Sequence, residues 1–220
     1  MVGAGEVGTA VAAVLSRAHP TTVRDVDPVD AVADVLDVCI PWTSDFVDIV
    51  RGYAVQHSAR LVVVHSTVPT GTCDSQGWVH SPIRGRHPHL EEGVATFVKH
   101  FGGNGASEAA VDWKACEVPT AVHPRAAETE AGKLWELAQF GLQVRVTQTV
   151  HAWCAERGLD PEVVYTAMAH TYNAGYEQLG EHWATRPVLR HVPGDIGGHC
   201  VVPMSGLLDH PIAEIVKEGF

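Results

Sequence analysis

The sequence lacks any apolar run close to the roughly 18 residues that a membrane-spanning helix needs. Its first residues also lack the basic segment that precedes the apolar core of a secretory signal. Basic side chains are scarce, with 15 Lys and Arg against 26 Asp and Glu and a formal net charge of −11. These deficits argue against a membrane or nucleic-acid partner, and they lead us to expect a cytoplasmic location.

Cysteine is also sparse, with five widely spaced residues and no Cys-x-x-Cys pair. Such an arrangement predicts reduced thiols rather than a disulfide framework or a zinc knuckle. Hydrophobic residues make up 45% of the chain and charged residues 19%, which excludes a disordered or fibrous protein. The length of 220 residues predicts one large domain or two small ones.

A Gly-x-Gly-x-x-Gly motif opens the chain, and a short β-rich run after it ends in Asp25. In this pattern the glycines let the backbone approach a pyrophosphate at a helix amino terminus, and the carboxylate accepts hydrogen bonds from ribose hydroxyls. An acid at this position favours NAD over NADP, although Arg24 beside it weakens the preference. Only Met1 and Val2 precede the motif, so the central strand would be stunted and the chain either clipped or started late. A glycine turn in another kind of α/β domain is the alternative. The residues predicted to bind the cofactor here are Gly3, Gly5, Glu6, Val7, Gly8 and Asp25.

Apolar strands and helices alternate through the first half of the chain. Residues 37–41 and 61–65 have the composition of buried strands, and a helix is expected over 43–57 between them. This order predicts an α/β fold with a doubly wound, Rossmann-type parallel sheet. Ligands of such sheets bind at the carboxyl ends of the strands, which adds Pro41 and Thr67 to the predicted cofactor contacts.

The pattern changes near residue 120. From Ala126 to Arg157 apolar residues recur at helical spacing, which predicts one long helix, and Asp160-Pro161 starts another. We therefore expect a dinucleotide-binding domain over residues 1–120 and an all-helical domain over residues 121–220.

Four sequence blocks follow one another along the chain: residues 3–8 with Asp25, Ser66–Thr72, Glu130–Lys133 with Gly158–Asp160, and Pro193–Cys200 with its Gly-Gly-His-Cys end. Together, and in this order, they resemble the UDP-glucose/GDP-mannose dehydrogenase family. The resemblance implies that Cys200 is the thiol that attacks an aldehyde formed by hydride transfer, and that Lys133 is its electrostatic and acid–base partner. It also implies that Thr67 lies near the cofactor and that the long helix mediates a homodimer.

The chain departs from the family at three polar positions, where it has Ile83, Leu137 and Met204. It also stops 20 residues after Cys200, before the family's second nucleotide-binding domain. We therefore expect a divergent, shortened member, and the departures count against a complete four-electron oxidation.

Histidine is plentiful, with 14 residues. His80, Arg84 and His87 belong to an irregular segment and are candidate contacts for a phosphate or carboxylate substrate. Gly198 and His199, in the loop before the cysteine, are further candidates. Imidazoles with a thiolate would also suit zinc, but the spacing matches no established ligand signature, so no metal site is assigned.

The leading hypothesis is an NAD-dependent oxidoreductase that transfers hydride between nicotinamide and a small anionic alcohol or aldehyde, possibly a sugar nucleotide. Two alternatives stay open. One is a metal-dependent, non-redox enzyme with His and Cys ligands on the same scaffold, and the other is a non-catalytic nucleotide-binding protein.

Overall fold

A computed structural model describes residues 1–197 and 200–219 of the chain. The predicted substrate contacts Gly198 and His199 lie outside the described residues. Contacts divide the chain into two compact units, Met1–Lys133 and Leu134–Phe220. The division falls inside the long helix, because the first turns of that helix make their contacts with the sheet unit.

The first unit alternates strands and helices. Its elements are α1 (Glu6–Leu15), β1 (Val35–Val38), α2 (Phe46–Gln56), β2 (Leu61–Val64), β3 (Val79–His80), α3 (Leu90–Thr96), β4 (Lys99–Gly102), α4 (Ala106–Ala115), β5 (Thr120–His123) and the start of α5 (Ala126–Arg157).

The five strands form one sheet in the order β1-β2-β3-β4-β5. All neighbours are parallel except β3 and β4, so the sheet is mixed at that pair. Val2 extends the sheet beyond β1 through parallel bridges to Val38 on one side and Arg24 on the other. The chain therefore moves outward from Val2 to Arg24 and returns to β1 on the opposite side of Val2. Such a reversal of strand order creates a crevice at the carboxyl ends of the strands.

Both faces of the sheet are covered, as the apolar runs predicted. Leu61 and Val63 of β2 belong to a buried cluster that includes Val11 of α1 and Trp113 of α4. The alternate residues of β2 belong to a second cluster, which includes Phe46 of α2. Successive side chains of a strand point to opposite faces, so helices pack on each side and the predicted doubly wound α/β class is confirmed.

The second unit consists of helices and loops in its described part. It contains the rest of α5, α6 (Met168–Leu179), α7 (Val201–Ser205) and α8 (Ile212–Glu218). A Cβ on Gly141 would lie 2.5 Å from Val216, so α8 packs closely on α5 at this glycine. Arg145 of α5 donates to the carbonyls of Val216 and Lys217 at the end of α8. Among the described residues, no helix combines the length and apolar character required to cross a membrane.

Candidate functional site

The glycine motif forms a sharp turn between Val2 and α1. Gly3 has φ +92°, and a Cβ there would lie 2.5 Å from the carbonyl oxygen of Cys39, so only glycine fits. A Cβ on Gly8 would lie 1.9 Å from the carbonyl oxygen of Gly3, which means that α1 packs on the turn through a bare backbone. These two glycines bring the amino terminus of α1 into the crevice beside β1.

Gly5, unlike Gly3 and Gly8, borders open space. It is the N-cap of α1, it is exposed, and a Cβ built on it would have no atom within 4 Å. Glu6 is exposed and Val7 half-buried in the first turn that follows. A turn glycine, an open glycine and a packing glycine are the three roles that a pyrophosphate-binding turn requires, and the main-chain amides of the first helical turn suit an anion.

Asp25 lies beside this turn. Its carboxylate is exposed and accepts a hydrogen bond from the Ala4 amide at 3.2 Å. The neighbouring Arg24 is directed elsewhere, because its Nη1 donates to Gln56 at 2.7 Å and its guanidinium lies 4.6 Å from the centre of the Tyr53 ring. Of these two charged residues, Asp25 is therefore the one whose side chain lies at the glycine turn.

Pro41 and Thr67 follow neighbouring strands at the same edge of the sheet. Pro41 is exposed and Thr67 is half-buried. The hydroxyl of Ser66 donates to the carbonyl of Ile40 at 2.6 Å, which ties the two segments together. This edge is the one at which the glycine turn lies.

Two carboxylates join the loop after β2 to the start of α5. Glu130 is fully buried and accepts hydrogen bonds from the amides of Gly71 at 2.6 Å and Cys73 at 2.8 Å. Asp74 in that loop accepts in return from the amides of Ala126 at 2.8 Å and Ala127 at 3.1 Å, and so caps α5. Burial raises the pKa of Glu130, while the loop amides oppose the rise.

Sequence reasoning missed the role of both carboxylates, although one signal was present. Glu130 lies four and seven residues before Leu134 and Leu137, on the apolar face of α5. An acid within an apolar stripe indicates a buried carboxylate with obligatory partners.

Lys133 lies one turn after Glu130 and is half-buried. Its ammonium donates to the carbonyl of Ile83 at 2.8 Å, at the end of the segment that follows β3. Its position at the end of the first unit is thereby fixed against the carboxyl edge of the sheet.

The predicted substrate contacts have different environments. His80 is fully buried, its Nε2 donates to the Ser66 carbonyl at 3.2 Å, and its Nδ1 contacts Thr129 at 2.8 Å. Burial lowers the pKa of His80 to about 3, so it is a neutral link between β3 and α5. His87 is exposed and pairs with Glu6 at 2.6 Å, and Arg84 is half-buried.

Cys200 belongs to the second unit. It is exposed and stands at the N-cap of α7. Within residues 1–197 and 200–219, no group of three or more His, Cys, Asp or Glu side chains is arranged to hold a metal ion.

No protein-family model and no curated protein sequence matches the chain. Solved structures resemble it at low identity. The UDP-D-ManNAc dehydrogenase of Pyrococcus horikoshii is 15% identical with a TM-score of 0.79 over 98% of this chain and 66% of its own. The UDP-N-acetyl-mannosamine dehydrogenase Cap5O of Staphylococcus aureus is 16% identical with a TM-score of 0.61 over 89% and 52%.

A shorter enzyme also resembles the chain. The 3-hydroxyisobutyrate dehydrogenase of Mycobacterium tuberculosis is 16% identical with a TM-score of 0.64 over 99% of this chain and 90% of its own. The chain thus spans between half and two thirds of the two sugar-nucleotide dehydrogenases. At these identities the likeness shows a shared Rossmann-type fold.

Proposed function

We propose that this protein is an NAD-dependent dehydrogenase that transfers hydride between nicotinamide and the alcohol or aldehyde group of a small anionic substrate. The observation that carries the proposal is the glycine turn at the strand-order reversal, with Gly5 open, Gly3 and Gly8 sterically obligatory, and Asp25 beside them. The similar structures named above are all dehydrogenases, which supports the same class of reaction.

The residues at the turn fit a dinucleotide. When bound, it would supply the hydride acceptor or donor. Main-chain amides at the start of α1 would hold its pyrophosphate, and Asp25 would accept hydrogen bonds from its adenine ribose. Pro41 and Thr67 would line the same edge of the sheet.

NAD is expected to bind at least about tenfold more tightly than NADP, because the exposed Asp25 carboxylate repels a 2′-phosphate and Arg24 is held by Gln56 and Tyr53. Replacing Asp25 by Ser should weaken NAD binding by about 10- to 100-fold, since hydrogen bonds to a charged group contribute about 1.5–3 kcal/mol. Titration calorimetry with each dinucleotide measures both effects. Asp27→Ser removes a nearby exposed acid and serves as the control. Equal affinities for NAD and NADP in the unmodified protein would contradict the cofactor assignment.

In this proposal Lys133 stabilises the negative charge that develops on the substrate oxygen, because its ammonium is positioned by the Ile83 carbonyl at the carboxyl edge of the sheet. Cys200 is the nucleophile of an optional second stage. Its sulfur would add to the aldehyde carbon while the thiol proton passes to the carbonyl oxygen. The resulting thiohemiacetal would be oxidised to a thioester by loss of hydride to a second bound nicotinamide, and water would then release the acid and restore the Cys200 thiol. The apolar Ile83, Leu137 and Met204 favour the first stage alone.

Lys133→Met is expected to lower turnover by at least about 100-fold while NAD affinity stays within about threefold, since one charge-stabilising donor is lost at the reacting oxygen. NADH formation with a panel of UDP-sugars and 3-hydroxy acids measures turnover. Lys114→Met, at an exposed lysine of α4, is the matched control.

Cys200→Ser distinguishes the stages, because it should abolish acid formation and spare aldehyde formation. NAD binding without turnover on the whole panel would favour the non-catalytic alternative.

The proposed substrate is a small anionic alcohol or aldehyde. Arg84 and His87 remain the proposed anion contacts, together with Gly198 and His199, while the burial of His80 makes it a structural link. A sugar nucleotide is one candidate, as the similar structures with UDP-sugar names suggest.

A homodimer through α5 is also part of the proposal, supported by the exposed aromatic side chains of Phe140 and Trp153. The cytoplasmic location stays a prediction.

A further inference from the structure

Glu6 places a carboxylate in the first turn of α1, next to the space that a diphosphate would enter. Gly5, the residue before it, borders open space, and a Cβ there would meet no atom within 4 Å. A negative charge at this end stabilises a helix through the helix dipole. The same charge repels a diphosphate that approaches the amides of the turn. A bare carboxylate on Glu6 would therefore weaken the binding that the glycine turn is proposed to provide.

His87 forms an ion pair with this carboxylate. Its Nδ1 lies 2.6 Å from Oε2 of Glu6, and because a carboxylate can only accept, the Nδ1–H donates. The two side chains are 46% and 63% exposed, so the pair contributes little to stability. Its main effect is on the local charge. When the imidazole is protonated, the two side chains together carry no net charge beside the glycine turn.

The segment that carries His87 is held by contacts that do not involve the imidazole. The Ile83 carbonyl accepts a hydrogen bond from the Lys133 ammonium at 2.8 Å. Further along, the backbones of Gly85 and Gly93 pack together, since a Cβ on Gly93 would lie 2.9 Å from the Gly85 Cα. The segment is therefore fixed on either side of the position from which His87 reaches Glu6.

Helix α3, which follows this segment, packs on α1. Leu90 and Val94 of α3 lie in the same buried cluster as Val11 and Val14 of α1. This apolar contact keeps the end of the segment beside α1 whatever the charge of the side chains at its surface. Replacing the imidazole of His87 should therefore change the charge near the turn and leave the path of the chain unchanged.

The acids at the start of α3 have basic partners of their own. Glu91 pairs with Arg17 at 3.1 Å, and Glu92 with His89 at 3.8 Å. In the part of the chain that the structure describes, His87 is the one basic side chain that forms an ion pair with Glu6. Loss of the His87 charge would therefore leave the Glu6 carboxylate without its counter-charge.

We propose that His87 neutralises Glu6 at the glycine turn and thereby raises the affinity of this site for a diphosphate. The inference rests on the dinucleotide site proposed above, and it gives His87 a role toward the cofactor besides its proposed contact with the substrate anion. Glu6 acts on the cofactor through its charge. The two side chains consequently affect binding with opposite sign, because Glu6 opposes the diphosphate and His87 offsets that opposition.

Titration calorimetry with ADP and with NAD compares the unmodified protein, His87→Gln, Glu6→Gln and the double variant. A buffer at about pH 6 favours the cationic form of histidine side chains. Glutamine at position 87 keeps an N–H donor for Glu6 and removes the charge. We expect His87→Gln to weaken both ligands by about tenfold and Glu6→Gln to strengthen both by about threefold or more. The double variant has neither charge, so its affinities should return to within about threefold of those of the unmodified protein.

His89→Gln, at an exposed histidine paired with Glu92, is the matched control and should change neither affinity. If the pair only held the segment in place, both single variants would weaken binding and the double variant would not recover. That result, or a His87→Gln protein that binds as the unmodified protein does, would overturn the proposal.

The two ligands separate this inference from the proposed function. If ADP shows the expected pattern and NAD does not bind, the role of His87 is supported and the cofactor assignment fails. If NAD binds without the pattern, this inference alone is overturned. If neither ligand binds the unmodified protein, both are overturned.

Discussion

Gly8→Ala is expected to destabilise the protein by about 3 kcal/mol or more and to abolish NAD binding, whereas Gly5→Ala should abolish binding alone. The reason is steric. A Cβ on Gly8 would lie 1.9 Å from the Gly3 carbonyl oxygen, and Gly3 is itself pressed against Cys39, so the turn cannot retreat. A Cβ on Gly5 meets no protein atom within 4 Å, and it would occupy only the space into which a pyrophosphate must come.

Urea unfolding and titration calorimetry with NAD measure the two effects separately. Gly52→Ala, at a helical glycine of α2 with no atom within 4 Å of the added Cβ, is the control for a harmless glycine substitution. We expect it to leave stability unchanged or slightly raised, since alanine favours a helix. A Gly5→Ala protein that binds NAD as the unmodified protein does would remove the basis of the cofactor assignment, whatever its stability.

The sequence predicted the bounds of an element well where its apolar pattern was long, and less well where the pattern was short. The helix predicted over Ala126–Arg157 has those bounds in the structure, because apolar residues recur at helical spacing through its middle, from Ala131 to Val150. The strand predicted over residues 37–41 is Val35–Val38 instead. Cys39 and Ile40 leave the ladder with β2 to form the wall of the crevice, and a short apolar run gives no sign of where pairing ends.

The contacts that organise the site could not be predicted from local pattern. Glu130 reaches amides of the loop after β2, and Asp74 in that loop reaches back to the first amides of α5. Each carboxylate accepts hydrogen bonds from amides that are far away in the sequence. No local spacing therefore predicts that Glu130 and Asp74 join the loop to α5. The motif residues differ in being close together: the three glycines shape one turn, and the Asp25 carboxylate meets the Ala4 amide of that turn within one βαβ unit. His80 shows the converse, since its position in an irregular segment suggested a surface contact while burial makes it part of the core.

Lys99 is buried within a polar cluster inside the first unit. Its ammonium lies 3.2 Å from the Ser81 carbonyl, 3.2 Å from Nδ1 of His65 and 4.3 Å from the centre of the Trp113 ring. His65 in turn contacts the carboxylate of Asp37 at 2.8 Å. Burial lowers the pKa of Lys99 to about 7, and burial together with the Lys99 charge lowers the pKa of His65. The cluster therefore holds a lysine that changes charge near neutral pH.

Stability is expected to rise with pH through this group. Between about pH 7 and the ordinary lysine pKa of about 10.4, the unfolded chain binds a proton on Lys99 that the folded chain releases, so the free energy of unfolding increases as pH rises. From pH 6.5 to 9.5 the contribution is about 3 kcal/mol. Lys99→Met removes the titrating group, and the pH dependence of its free energy of unfolding should be smaller by that amount.

Urea unfolding at the two pH values, compared between the unmodified protein and the variant, isolates the contribution of Lys99 from other groups that titrate in the same range. Lys114→Met provides the matched control at an exposed lysine and should keep the full pH dependence. A methionine fills the space of the lysine stem without a charge, so the variant should also be at least as stable as the unmodified protein at pH 6.5. If Lys99→Met retains the whole rise between pH 6.5 and 9.5, then Lys99 stays protonated in the fold throughout, and its partners stabilise the ammonium more than burial disfavours it.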